Sequence, residues 1–177
     1  MSESFSLPVI LDATVSSNFA STESVTWLTA VLENLTTVPA IEWELQRGIE
    51  NGYPYLENAL EAIRTGQIPL EKSVTEQLEQ AYPTIRDQLD PGEAEAFVVA
   101  DRTDGTLVTD DGAARNPAST YEINLTGSIG LLVRGVVRDN LTVETADSWF
   151  TTWVDECDYY APVESVSDVL FDEYTPE

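Results

Sequence analysis

The chain has 177 residues, with 32 Asp and Glu against 8 Lys and Arg, no histidine and a formal net charge of -24. That length suits one substantial core. The composition excludes a histidine general base, a Ser-His-Asp or Cys-His pair, a histidine-containing zinc site and the basic surface of an ordinary nucleic-acid binder.

Phe5 to Leu11 is a short apolar run ending at Asp12, suited to a buried strand. Ser24 caps an expected helix from Val25 to Glu33, and Thr36 to Val38 reads as a second short strand. Pro39 then opens a helix reaching about Arg47. Gly52 to Gln88 reads as two or three short helices broken by Gly66, Pro69 and Pro83, a helical insertion or arm. Pro91 opens an apolar helix to about Asp101, and Leu107 to Thr109 is a strand running into Asp110 and Asp111. A helix near Gly112–Asn116, a strand at Glu122–Leu125 and a helix from about Thr126 to Val137 follow. Residues 139–177 supply C-terminal material, with a helix over Val143–Glu156 and a frayed acidic tail from Phe171 to Glu177. This alternation predicts a single α/β domain: a parallel sheet covered by helices on both faces.

In such sheets the functional crevice lies at the carboxyl ends of the strands. Asp12 ends the first strand, Glu44 lies one turn into the helix after the second, Glu93 opens the helix at Pro91, and Asp110 and Asp111 end the 107–109 strand. Glu42 competes with Glu44, and Glu95 with Glu93, although Glu95 reads as the more solvent-facing of its pair. Converging carboxylates repel one another unless they are neutralised or bind a cation. Mg²⁺ or Mn²⁺ suits an oxygen-only site, and such a metal replaces the missing histidine in phosphodiester hydrolysis.

Thr14 and Thr109 stand beside these acids, to orient a carboxylate or to serve as ordinary strand-end threonines. Ser128 caps the helix after Gly127, whose N-terminus attracts phosphate. Arg115 is placed to contact phosphate or to pair with a site acid, and Arg134 and Arg138 share one helix face. Trp149 and Trp153, with Phe150, read as core or a dimer contact rather than a base-stacking platform. Trp43, Tyr53 and Tyr55 sit near the insertion as a partner groove. Cys157 is the only cysteine, which excludes an internal disulfide and points to an intracellular, cytoplasmic protein. No run is long and apolar enough for a membrane span. Seven of the eight bases are arginine, leaving Lys72 as the only lysine. Acid excess with lysine nearly eliminated points to a halophilic protein, because at about 1 M salt charges are screened beyond roughly 3 Å.

Five segments in order resemble the PIN-domain family, a nuclease superfamily that includes the VapC-type toxins of toxin–antitoxin pairs. They are Val9-Ile-Leu-Asp-Ala-Thr14, Val38-Pro-Ala-Ile-Glu-Trp-Glu-Leu45, Leu89-Asp-Pro-Gly-Glu-Ala-Glu-Ala-Phe97, Leu107-Val-Thr-Asp-Asp-Gly-Ala-Ala-Arg115 and Thr126-Gly-Ser-Ile-Gly-Leu-Leu132. The resemblance implies a three-layer α/β/α sandwich and a Mg²⁺- or Mn²⁺-dependent endonuclease for single-stranded RNA, often a homodimer, with an antitoxin as a partner. It places the metal-binding and catalytic acids at Asp12, Glu44, Glu93 and Asp111, with Asp110 as the alternative to Asp111. Two other readings remain at this point: a PIN fold that has lost activity and serves as a binding or regulatory module, and an acidic nucleic-acid mimic that occupies a basic protein.

Overall fold

Val9, Ile10 and Leu11 form β1, and all three are buried, as expected of a strand covered on both faces. In the computed structural model, which describes residues 5–157, 159–161 and 163–174, β1 pairs in parallel with β2 (Leu35–Thr36) and β3 (Thr106–Val108). On its other side β3 pairs with β4 (Asn124–Thr126), giving one all-parallel sheet of order β2-β1-β3-β4. Val9 lies opposite Leu35 and Thr106, and Leu11 opposite Val108. Beyond β2, the Thr37 N–H donates to the Pro69 carbonyl and the Glu71 N–H to the Thr37 carbonyl. Chain from the 52–88 stretch thereby pairs with the β2 edge, which would otherwise present unpaired amides.

Helices α1 (Ala13–Ser21) and α2 (Val25–Val31) link β1 to β2. Between β2 and β3 lie α3 (Pro39–Glu50), a 3-10 turn at Pro54–Leu56, α4 (Glu57–Arg64), α5 (Thr75–Ala81), α6 (Pro83–Gln88) and α7 (Pro91–Thr103). A 3-10 turn at Gly112–Ala114 and α8 (Arg115–Tyr121) lead to β4, and α9 (Ser128–Val137), α10 (Val143–Glu156) and α11 (Val166–Tyr174) follow it. The helices cover both faces of the sheet in a three-layer α/β/α sandwich, the expected fold class.

Several expectations need correction. The strand expected over Phe5–Leu11 forms only at Val9–Leu11, because Pro8 has no N–H to give the ladder. Helix α1 went unread in the sequence: Thr, Val, Asn and three serines are weak helix formers. It forms because Val15, Phe19 and Ala20 pack into the core, and tertiary burial outweighs propensity. The short helix near Gly112–Asn116 is a 3-10 turn that continues as α8 to Tyr121. Phe171 to Tyr174, read as frayed tail, are the last turn of α11, and residues 175–177 lie outside the described residues.

The α10 aromatics belong to the core. Trp153 and Phe150 are buried, and the Trp153 ring stands edge-on to Phe19 of α1 at 4.8 Å. Trp149 meets Trp27 of α2 at 5.5 Å. This ring cluster fastens α10 to the first two helices and so fixes the position of the chain that follows it.

Candidate metal centre

The chain leaves β1 towards β2 on one side of the sheet and β3 towards β4 on the other. The gap between the carboxyl ends of β1 and β3 is therefore the topological switch point, where α/β sheets place their ligand crevice. Asp12 follows β1 directly and is 2% exposed. Its N–H is fixed by the Val108 carbonyl at 2.9 Å. Its Oδ2 accepts from the Thr109 hydroxyl at 2.8 Å and from the Thr14 hydroxyl at 3.1 Å. Thr109, just past β3, also lies 3.1 Å from Glu93 Oε1, and its oxygen accepts the Asp111 N–H at 3.2 Å. One hydroxyl proton therefore faces two buried carboxylates.

Of the remaining acids, Glu44 arrives from α3, Asp90 and Glu93 from the start of α7, and Asp111 from the chain just past β3. Asp90 caps α7, its Oδ1 accepting the Glu93 N–H at 2.9 Å. Glu93, in the first turn, is 0% exposed. Single carboxylate oxygens of Asp90, Glu93 and Asp111 lie within 4.8 Å of one another. Glu44 approaches from α3, and its Oε1 accepts the Gly92 N–H at 3.2 Å. A Cβ on Gly92 would lie 2.3 Å from that oxygen and 3.0 Å from Ile41 Cγ1. Glycine is what lets the Glu44 carboxylate reach the start of α7.

The electrostatics match five acids in one crevice. Burial pushes Asp12 up to about 6, against the Thr109 hydroxyl, with the Asp90 charge adding to the rise. Glu44 rises to about 7 through burial, then the charges of Asp90 and Asp12. Glu93 rises to about 9 through burial, then the approach of Asp111 and the charge of Asp12. Three buried carboxylate oxygens lack a hydrogen-bond partner among the described residues: Asp12 Oδ1 and Glu93 Oε2 in the crevice, and Glu95 Oε2 beside α5. Buried carboxylate oxygens left in that state cost stability unless something cationic meets them. An all-oxygen set with orphaned, mutually repelling lone pairs fits a hard divalent cation.

The crevice separates the pairs that the sequence left open. Asp110 turns away from it: Oδ1 accepts the Ser128 N–H at 2.7 Å, while Oδ2 accepts from the Ser128 hydroxyl and from Asn18 Nδ2. A Cβ on Gly127 would stand 2.6 Å from Asp110 Oδ1. The Ser128 N–H at the start of α9 is thus engaged by a carboxylate rather than left for phosphate. Asp110 still serves the crevice indirectly, since its N–H donates to the Thr14 hydroxyl at 3.1 Å. Glu95, expected to face solvent, is buried at 6% exposure and accepts from the Thr75 hydroxyl at 2.7 Å. It does so because α5, from the 52–88 stretch, packs over that side of α7. Arg115 is exposed, on the wall of a cleft that also includes Asp111. Arg134 lies over the Phe5 ring, and with Arg138 lines a separate depression.

Two residues in or beside the crevice escaped the sequence reading. Asp90, three residues before Glu93 and next to Pro91-Gly92, reads as a plain helix cap, and capping occupies one of its two oxygens. Asn18 lies on the helix that was not expected. An asparagine among Val15, Phe19 and Ala20 was the available signal, since a buried amide needs partners. Gly92→Ala is expected to cut divalent-ion affinity by at least about tenfold, the scale at which groups supporting a metal's ligands act. It should cost no more than about 1–2 kcal/mol of stability, because Glu44 can swing aside. Calorimetric Mn²⁺ titration with a parallel melt checks both numbers, and unchanged affinity would remove Glu44 from the site.

Comparison with curated proteins gives no match. A family model described as a PIN domain matches residues 8–170, which takes in the whole sheet and every acid named above. The chain belongs to the PIN-domain family.

Proposed function

We propose that this protein is a Mg²⁺- or Mn²⁺-dependent endoribonuclease that hydrolyses phosphodiester bonds in single-stranded RNA, with Asp12, Glu44, Glu93 and Asp111, joined by Asp90, holding the metal. PIN domains are generally nucleases that use divalent metals. The observation that carries the reading is that two of the buried, unpartnered oxygens, Asp12 Oδ1 and Glu93 Oε2, lie in the crevice beside the three carboxylates gathered within 4.8 Å. A divalent ion bound there supplies a Lewis acid for the phosphoryl oxygens and an acidified water as nucleophile, in place of the absent histidine base. Thr14 and Thr109 hold the Asp12 carboxylate in one orientation, and the Gly92 N–H does the same for Glu44. Arg115 is placed to hold a phosphate of the strand beside Asp111.

Carboxylates converging in a crevice support hydrolysis over the acidic-mimic reading, which needs its charges spread as a phosphate-like array on the surface. The inactive-module reading draws on the scarcity of cations, since Arg115 is the only basic residue lining the cleft among the described residues. The lysine-poor acidic composition supports work in molar cytoplasmic salt. A toxin role, an antitoxin partner and a homodimer follow from the VapC-type resemblance and belong to the same proposal. The full chain should cleave an unstructured, end-labelled RNA in molar KCl with Mn²⁺. Activity should vanish on chelation and return when the metal is restored. No cleavage with either metal, at any salt concentration where the chain is folded, defeats the proposal.

A further inference from the structure

A cleft of about 820 Å³ is lined by Asp111, by Arg115 and, beyond the end of α10, by Tyr159 and Tyr160. That volume falls in the range of small-molecule sites, about 300–1,000 Å³, and has room for a nucleotide. Three features of its wall point to the kind of ligand it takes. First, Tyr160 is 91% exposed, while the aromatic residues of α10 are packed into the core. Its neighbour Tyr159 is held edge-on against Phe150 and Trp153, each at 6.1 Å, which anchors the short segment carrying Tyr160. Second, Arg115 provides the one positive charge among the described residues of the lining. Third, both oxygens of Asp110 on the same wall are engaged by Ser128 and Asn18, whereas Asp111 accepts the Ala113 N–H on one oxygen only.

A chain at -24 cannot rely on phosphate contacts alone. Phosphate-driven affinity falls steeply with salt, whereas stacking of a base on an aromatic ring involves no counterion release and contributes about 1–3 kcal/mol per base. A base inside a duplex already has both faces covered, so a lone aromatic platform selects an unpaired strand.

We infer that this cleft is a subsite for one unpaired nucleotide flanking the cleaved bond of an RNA strand, with Tyr160 stacking on the base and Arg115 holding its phosphate; the choice of RNA as ligand rests on the nuclease reading above. The subsite makes RNA binding depend on a ring as well as on charge.

The test uses the full chain carrying Asp12→Asn, so that RNA stays intact. The probe is a set of single-stranded RNA oligonucleotides with 2-aminopurine at successive positions. Binding should quench fluorescence at one position. Tyr160→Ala should abolish that quenching and weaken binding about thirtyfold, the middle of the stacking range, while Tyr160→Phe and Tyr160→Trp keep both. Arg115→Gln should weaken binding and lower the slope of log affinity against log salt by about one. At 91% exposure, truncating Tyr160 spares the fold. Equal affinity of Tyr160→Ala and its parent overturns the subsite, as does equal affinity for the same sequence in a duplex. If the parent shows position-specific quenching but the chain with Asp12 restored cleaves nothing, the subsite stands and the hydrolytic reading falls. If the parent binds no RNA while the chain with Asp12 restored hydrolyses bis(p-nitrophenyl) phosphate, the subsite falls and the hydrolytic reading stands.

Discussion

Asp12→Asn is expected to lower divalent-dependent RNA cleavage by at least about 10³-fold, equivalent to about 4 kcal/mol of transition-state stabilisation, while leaving the fold as stable as before or more so. The two halves of this expectation have one cause. Asp12 is 2% exposed, one of its oxygens is orphaned, and burial pushes it up to about 6. Holding that carboxylate charged in the metal-free fold costs about 3 kcal/mol at 1.36 kcal/mol per pKa unit, taken over the rise from 3.8 to about 6. Asparagine has the same shape and no charge. Its carbonyl can keep the bonds from Thr109 and Thr14, and its amide then stands where the orphaned oxygen was. A residue needed only for folding would lose stability along with activity. A metal ligand loses activity and stabilisation by metal, and gains stability in the metal-free state. Cleavage assays and melts with and without Mn²⁺ separate these cases. Cleavage that survives Asp12→Asn ends the assignment.

How much of this was legible beforehand depended on whether a residue's role was local. β1 and α7 were readable because an apolar run and a Pro-Gly helix start are local signals. Asp12, Glu44, Glu93 and Asp111 could be nominated because the strand-end rule of α/β sheets, with the family resemblance, turns sequence order into position. Asp90 was missed because its capping bond accounts for it so fully that nothing in the spacing marks it as an acid of the crevice. Asn18 was missed with α1, whose helix exists only because the rest of the fold buries one face of it. Glu95 was misplaced for the opposite reason. Its two-residue offset from Glu93 suggests an outward face, but α5 covers that face, and no local pattern announces where a distant helix will pack. Whether Asp110 or Asp111 faces the crevice was likewise settled by Gly127 and Ser128, seventeen and eighteen residues downstream.

The same crevice makes stability depend on pH in a direction unusual for so acidic a protein. Paired carboxylates normally have lowered values, and folds then weaken towards acid. Here Asp12, Glu44 and Glu93 are raised to about 6, 7 and 9. Between its unfolded and folded values such a group binds more proton in the folded state, so stability is lost as pH rises through that window. The metal-free chain should therefore melt at progressively lower temperature from about pH 5 to pH 9, with the loss levelling off above the Glu93 value. A divalent ion reverses the trend, since it binds the deprotonated set. Mn²⁺ at about 100 times its dissociation constant adds about 2.7 kcal/mol, and the gain should be larger at pH 8 than at pH 5, where protons compete. Salt acts on the other acids. KCl screens the exposed carboxylates and should raise the melting temperature at every pH, but the buried groups are screened far less, so the slope with pH should persist in molar KCl. Melts across that pH range, with and without Mn²⁺, at low and molar KCl, distinguish the two populations of charge. A metal-free melting temperature that rises with pH would show that the buried acids are ionised at no cost, and without that cost the crevice would have no need of a cation.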